Sequence, residues 1–375
     1  MKRQRVLVIG GGIGGMAAAI SLRNQGTQVD LVELDARWQV YGAGITISGP
    51  TLRALSTLGV VDEVMRQGFC ADGVRVCDAD GRLLTELATP RVAGDRIPGG
   101  GGILRPVLAR ILAKATLAAG VSVKLGTTFA SIDQDADGVD VAFTDGARAR
   151  YDLVVGADGL NSRVRQAVFP DAPRPEFTGQ GCWRALVPRP REIDRPHIFM
   201  GPRVKAGVNP VSQDEMYLFF TLHLPGKPFI DAAEWPRRLA AELAGFGGPI
   251  GAIRDGLNPA SRILYRPLDK LLMTAPWHRG RVVLLGDAVH ATTPHLASGA
   301  GAAVEDALVL AEALANGDSL DAALSTYVAR RLPRARLVVE NSVRLGQLER
   351  SPDAASRQAF SQLMRDSLAA LAAPI

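Results

Sequence analysis

The sequence predicts an α/β fold: a discontinuous parallel-sheet domain, interrupted by a mostly antiparallel sheet and finished by a run of helices. Three observations carry this. An apolar strand, a glycine-rich turn and a helix open the chain between Arg5 and Asn24. A second short apolar run at Arg281 to Leu285 restores the parallel pattern after a long stretch of alternating residues. From Gly299 onward the sequence is helical to its end. The expected segments are 1–175, the first part of the discontinuous domain, 176–272, the inserted sheet, and 273–375, the second part with its C-terminal helices. Hydrophobic residues make up 47% of the 375 and charged residues 22%, which excludes a disordered or collagen-like chain and allows a large core.

Each element follows from local pattern. Arg5 to Ile9 is β-branched and apolar, hence a strand; Met16 to Asn24 is helical and Gly26 ends it. Gln28 to Glu33 reads as a second, parallel strand, completing a βαβ unit of about thirty residues. A chain reversal is expected at Tyr41-Gly42-Ala43-Gly44, short helices at Thr51 to Leu58 and Val61 to Gln67, and a hairpin from Gly73 to Leu87 turning at Asp80-Gly81. The Gly- and Pro-rich stretch Arg91 to Gly102 is expected to be a mobile loop. Pro106 opens a helix to about Ala119, with strands following near Val121 to Lys124, Thr127 to Asp133 and Tyr151 to Val155. In the inserted part the alternation from Met216 to Leu224 predicts antiparallel strands, with helices near Ala232 to Ala244.

The net charge of +5 comes from 43 Lys and Arg against 38 Asp and Glu, without a basic block. Arg330, Arg331, Arg334 and Arg336 fall at helical spacing and read as a solvated helix face. Nucleic acid is not an expected partner; anionic small molecules are. Cys70, Cys77 and Cys182 form no CxxC pair, so neither a disulfide framework nor a zinc site is expected, no metal is expected elsewhere, and a reducing cytoplasm fits. The basic start Met1 to Arg5 and the uncharged Val6 to Ile20 superficially copy a signal peptide, but the glycines between Gly10 and Gly15 suit a phosphate-binding turn better. No run is long enough to span a bilayer.

Gly10-x-Gly12-x-x-Gly15, with Ile13 and Gly14 inside it, stands between strand and helix, the Rossmann-like arrangement for dinucleotides. Absent side chains let a pyrophosphate approach the helix N-terminus, whose free amides attract negative charge. Glu33 ends the second strand, where a carboxylate accepts the hydroxyls of an adenosine ribose. This unit alone leaves NAD and FAD open. Farther on, Asp158-Gly159-Leu160-Asn161-Ser162-Arg163-Val164-Arg165 and Gly286-Asp287-Ala288-Val289-His290, continued by Pro294 to Asp306, stand in order along the chain. Taken together these motifs resemble the class A FAD-dependent aromatic monooxygenases of the para-hydroxybenzoate hydroxylase superfamily, of the short type that includes salicylate and 6-hydroxynicotinate hydroxylases.

The resemblance implies FAD as cofactor and NADH or NADPH as co-substrate. Segments 1–175 and 273–375 are then the FAD-binding domain, and 176–272 the substrate domain. It places Asp287 at the ribityl and pyrophosphate region, Arg105 near the ribityl phosphate, and Asp158 near the flavin and the nicotinamide path. Pro294, Gly299, Ala300 and Gly301 lead into a helix whose N-terminus faces the N1/O2 edge of the flavin. Relatives carry asparagine at the position of Gly301, so contacts there are expected from backbone. The implied reaction is hydroxylation of a small phenolic or N-heteroaromatic substrate by dioxygen, through a flavin carbon-4a hydroperoxide.

Tyr217, Phe219, Thr221 and His223 share one strand face, which is either a substrate wall or a half-solvated sheet face. Asn209, Arg184 and His295 are further substrate candidates, and no catalytic base stands out; among these, Tyr217 and His223 are the catalytic candidates. Epoxidation or reduction on the same fold, a membrane-associated quinone-pathway hydroxylase, and a non-catalytic FAD scaffold are the alternatives. Phe360, Leu363, Met364, Leu368 and Leu371 form an amphipathic pattern expected to pack on the protein itself rather than on a membrane. A monomer or homodimer is expected.

Overall fold

In the computed structural model, residues 4–40, 42–201, 204–351 and 353–375 are described. The basic start at Met1 to Arg3 and Tyr41 of the expected reversal lie outside them. A six-stranded sheet forms the first layer, in the order 278–279, 282–284, 153–156, 5–9, 28–33, 122–125. All its pairings are parallel except that of the short edge strand His278–Arg279. Strand Arg5–Ile9 is central because Val6, Leu7, Val8 and Ile9 are apolar on both faces and fully buried.

Helix Ile13–Asn24 follows the glycine turn and is buried along its length. Its alanines Ala17, Ala18 and Ala19 allow close approach of helix Gly299–Asn316, so the two chain halves share one core. Strand Val282–Leu284 returns to this sheet beside Leu153–Gly156, as the second parallel run predicted.

A seven-stranded sheet forms the second layer, in the order 262–270, 176–188, 215–223, 205–210, 197–200, 74–78, 83–87. The predicted hairpin, Val74–Asp78 with Leu83–Leu87, thus joins the edge of this sheet from the first chain segment. One sheet face packs Trp183, Phe199, Leu218 and Phe220 against Leu239 and Ile250 of the helices Trp235–Glu242 and Gly248–Asp255. Burying each such side chain contributes about 1.5–3 kcal/mol. The opposite face turns toward the first chain segment, where the Tyr217 ring lies against Gly44.

Two expectations are corrected. Arg91 to Gly102 is not a loop throughout: Gly100–Leu104 is the central strand of a small sheet with Gly44–Ser48 and Phe69–Ala71. Its glycines reflect close packing, since a Cβ on Gly101 would lie 2.6 Å from the Phe69 carbonyl oxygen. The arginines of helix Leu320–Leu348 form a solvated face only in part: Arg330 and Arg336 are exposed as expected, while Arg331 and Arg334 turn inward. Arg331 is 1% exposed and pairs with Asp306 at 2.7 Å and Glu305 at 3.0 Å, and Arg334 pairs with Glu305 at 2.7 Å. The three cysteines are free thiols. Among the described residues no helix is long and apolar enough to cross a membrane, and Phe360, Leu363, Met364 and Leu371 of the last helix pack onto Leu296, Val338 and Leu345.

Candidate active site

The nucleotide cradle is built by backbone. Gly10 has φ +111°, and a Cβ there would collide with the Ala157 carbonyl, while a Cβ on Gly15 would overlap the Gly10 carbonyl. Gly14 packs against Leu285 with equally little room. Over Gly12 nothing stands within 4 Å of the missing Cβ. Gly12 caps helix Ile13–Asn24 with no side-chain hydrogen bond and no acidic residue in the first turn, so the first amides remain available to an anion. Glu33 accepts the Gly11 N–H at 2.6 Å and the Asp35 N–H at 2.8 Å. Each carboxylate oxygen keeps a lone pair for a ribose hydroxyl.

A second uncapped helix end lies at Gly299–Asn316, where Ser298 makes no capping bond and the first turn holds no acid. Pro294 opens the single turn that leads there, and Ala297 adopts φ +49° to redirect the chain. Gly299, Ala300 and Gly301 are the first helical residues. A Cβ on Gly301 would overlap Thr51 Oγ1, so there is no room for a side chain at this position.

Asp287 is surrounded by protein, yet its side chain is open to solvent, the condition of a group at the floor of a cleft. Desolvation there raises its pKa, against the pull of His290 and Arg105. Beneath it, Asp306 accepts the Gly286 N–H at 2.9 Å and bonds His290 Nε2 at 2.5 Å. Burial would raise the Asp306 pKa, but His290 and Arg331 hold it far below the carboxylate range. Burial would lower His290, but Asp306 raises it.

The sheet face opposite supplies the remaining side chains. Cross-strand register sets Arg184, Phe219 and Gly207 in one row and Leu186, Tyr217 and Asn209 in the next. Met216, Leu218 and Phe220 point to the packed core, so Tyr217, Phe219 and Thr221 look to the opposite side, toward the first chain segment. The Tyr217 ring fills the space above Gly44, and its hydroxyl bonds Thr46 Oγ1 at 2.5 Å. Asn209 is 1% exposed and donates to Thr46 Oγ1 at 3.0 Å and the Gly101 carbonyl at 3.1 Å, while its Oδ1 is buried without a partner.

Arg105 heads helix Arg105–Ala118, and burial together with the nearby Arg184 lowers its pKa. Neither guanidinium makes an ion pair among the described residues. Two adjacent cations left unpaired at the edge of a cleft fit anionic groups.

The structure does not bring every predicted residue to this cleft. His223 is exposed at the far end of its strand, beside Gly179. Asp158 does stand against the glycine turn, its Cα 3.0 Å from a Cβ placed on Gly10, with its carboxylate engaged by Ser162 Oγ at 2.5 Å and the Arg163 N–H at 2.7 Å at the start of the short helix Arg163–Val168. His295 is near the cleft, its Nδ1 bonded to Thr293 at 2.9 Å and its Nε2 3.5 Å from Glu349. Thr46, Asp306, Lys205 and Glu349 escaped sequence reasoning. Only Asp306 had a local signal, an acidic pair with Glu305 inside an otherwise apolar helix.

Two open helix N-termini, the bare Gly12 and the open Asp287 carboxylate together suit a molecule with a pyrophosphate at one end and an electron-rich ring at the other. They define a flavin-dependent oxidoreductase. The FAD binding domain family matches residues 3–223 and 267–342, and the chain belongs to it. It is 36% identical over 312 residues to the 2-heptyl-3-hydroxy-4(1H)-quinolone synthase of Pseudomonas aeruginosa, covering 82% of this chain and 79% of that one. The aurachin C monooxygenase/isomerase of Stigmatella aurantiaca is 31% identical over 366 residues, 96% of this chain and 93% of that one. The crystal structure of Klebsiella pneumoniae HpxO complexed with FAD and uric acid superposes with a TM-score of 0.85 at 27% identity, over 99% of this chain and 96% of that one. The protein is accordingly an FAD-dependent monooxygenase of class A.

Proposed function

We propose that this monooxygenase is a single-component hydroxylase that uses NAD(P)H and dioxygen on a small aromatic or N-heteroaromatic substrate carrying negative charge. The observation that supports it is the row Arg184–Phe219–Gly207, which sets a guanidinium with no ion pair among the described residues beside an aromatic ring on the sheet face turned to the flavin domain. The relatives point the same way: one is named for a quinolone, and HpxO was crystallised with uric acid. The division 1–175, 176–272 and 273–375 goes with this reading, with the hairpin 74–87 lending the substrate sheet its edge.

Gly10, Gly12, Ile13, Gly14, Gly15 and Glu33 hold the adenosine diphosphate portion of FAD. Asp287 and Arg105 hold the ribityl and phosphate region, and Pro294 and Gly299 to Gly301 meet the ring. The bound flavin supplies electron transfer from NAD(P)H and activation of dioxygen. Arg184 binds the anionic group of the substrate and Phe219 packs its ring. Tyr217 and Thr46 share one hydrogen bond, and Asn209 already donates to Thr46. One hydroxyl proton of the pair is therefore left to donate to a substrate oxygen, while burial raises the Tyr217 pKa and keeps its hydroxyl protonated.

The test is a screen of hydroxybenzoates, hydroxypyridines and quinolones for stimulated NAD(P)H oxidation, with oxygen-18 gas and product mass. Incorporation of one labelled oxygen is expected. Undiminished anaerobic turnover would overturn the reading. Tyr217→Phe should lower product formed per NAD(P)H consumed, and Arg184→Met should raise KM for anionic substrates about 10–100-fold, the scale of a lost charged hydrogen bond.

A further inference from the structure

Glu349 ends helix Leu320–Leu348, outside every sequence motif, and joins three parts of the molecule. It contacts Lys205 Nζ on one strand of the substrate sheet, accepts the Thr221 hydroxyl at 3.3 Å from the next, and stands 3.5 Å from His295 Nε2 on the loop after Pro294. Burial would raise its pKa, yet Lys205 and His295 hold it at about 2, so the carboxylate is charged at any working pH.

Lys205 belongs to the same sheet face as Arg184. Gly207 pairs with Phe219, and the same register continued by two residues sets Lys205 beside Thr221. With strands about 4.8 Å apart and about 3.4 Å per residue, Lys205 and Arg184 lie about 12 Å apart along the face. A substrate with one anionic group engages one of these cations and not both. Arg184 and Arg105 make no ion pair among the described residues, whereas the Lys205 ammonium is held by Glu349 and lies over the Phe360 ring at 4.4 Å.

We propose that Glu349 is a positioning residue that acts through charge: by neutralising Lys205 it leaves Arg184 as the anion anchor and so sets the register of an anionic aromatic substrate. This rests on the proposed hydroxylase reading of the cleft. Without Glu349, Lys205 competes for the anion and draws the ring away from its reactive position. A purely structural tie between helix, loop and sheet would act on every ligand alike.

The test uses the FAD-loaded protein with salicylate as the anionic probe and phenol as the neutral one. Binding is measured by calorimetry, and coupling as product formed per NAD(P)H consumed. For Glu349→Gln, salicylate binding should tighten about three- to tenfold, as expected for one uncompensated charge near a partly solvated site, while phenol binding stays within about twofold and coupling with salicylate falls. Lys205→Met leaves the carboxylate in excess and should weaken salicylate binding. The double variant should return salicylate affinity and coupling toward wild type. Equal losses for both probes with no recovery in the double variant, or three variants indistinguishable from wild type, would overturn the proposal. A wild type that binds neither probe and shows no stimulated NAD(P)H oxidation would instead reject the hydroxylase reading.

Discussion

On the proposed reading, Glu33 would support the adenosine end of FAD through two routes at once. Its carboxylate holds the turn amides of Gly11 and Asp35, and Trp38 adds a bond from its indole N–H to the Gly11 carbonyl at 2.9 Å. The same oxygens remain able to accept ribose hydroxyls. Glu33→Ala therefore removes both a ligand contact and the support of the turn. FAD affinity should fall about 10–100-fold, read by fluorescence titration of the apoprotein with FAD. Unchanged affinity would remove the residue from the site. Such residues were legible because their chemistry is local: a glycine turn, the strand end that follows it and a Gly-Asp pair are each set by near neighbours in sequence. Thr46 was not, and neither was its convergence with the candidates Asn209 and Tyr217, which depends on the pairing of strands far apart in the chain.

At the scale of elements, helix Gly299–Asn316 does most to place the flavin side of the cleft. One end points its free amides into the site, and Asp306, farther along, fixes the Gly286-Asp287 turn through Gly286 N–H and His290. Asp306→Asn leaves buried His290 without its counter-ion and Arg331 with Glu305 alone, and should cost about 3–5 kcal/mol of stability, measured by denaturant unfolding. The His290 part of this support has a defined sign with pH. Its folded pKa is raised, so its contribution is full below the unfolded value of about 6.5 and fades as pH rises through the folded value. His290→Gln should thus lower Tm more at pH 6 than at pH 9, and an equal drop at both would show that charge is not involved.

The start of the same helix gives a packing test. Gly301→Asn should destabilise by about 1–3 kcal/mol because Thr51 occupies the space, with partial relief from Thr51→Ala. Glycine content alone misled at 91–102, because a mobile loop and a strand packed too tightly for Cβ atoms share the same composition. Arginine spacing misled only for Arg331 and Arg334, since it marks a helix face but not what covers that face.

At the scale of the whole molecule, parallel layer, antiparallel layer and terminal helices were legible, because hydrophobic period and length distinguish them. How they are tied was not. The last helix, Ala354–Ala372, offers its final carbonyls to Arg53 at 2.8 Å and 2.7 Å and to Arg334 at 3.3 Å and 2.7 Å. Arg53 lies in helix Gly49–Thr57, which also carries Thr51 against Gly301, and Leu371 packs on Leu296 in the loop after Pro294. The C-terminal helix therefore braces two elements that would border the flavin on the proposed reading, while contributing no motif of its own.

Leu371→Asp places an unpaired charge at a site 4% exposed and should lower the Tm of the apoprotein. If the brace supports the cofactor site, a second effect follows. Added FAD stabilises the folded state by an amount that grows with its concentration over Kd, so a weakened site gives a smaller increment. A tenfold weaker Kd removes about 1.4 kcal/mol of that increment at saturating FAD. The expected result is a lower apo Tm together with a smaller FAD-induced rise. A lower apo Tm with an unchanged rise would mean that the helix stabilises the fold without shaping the flavin site.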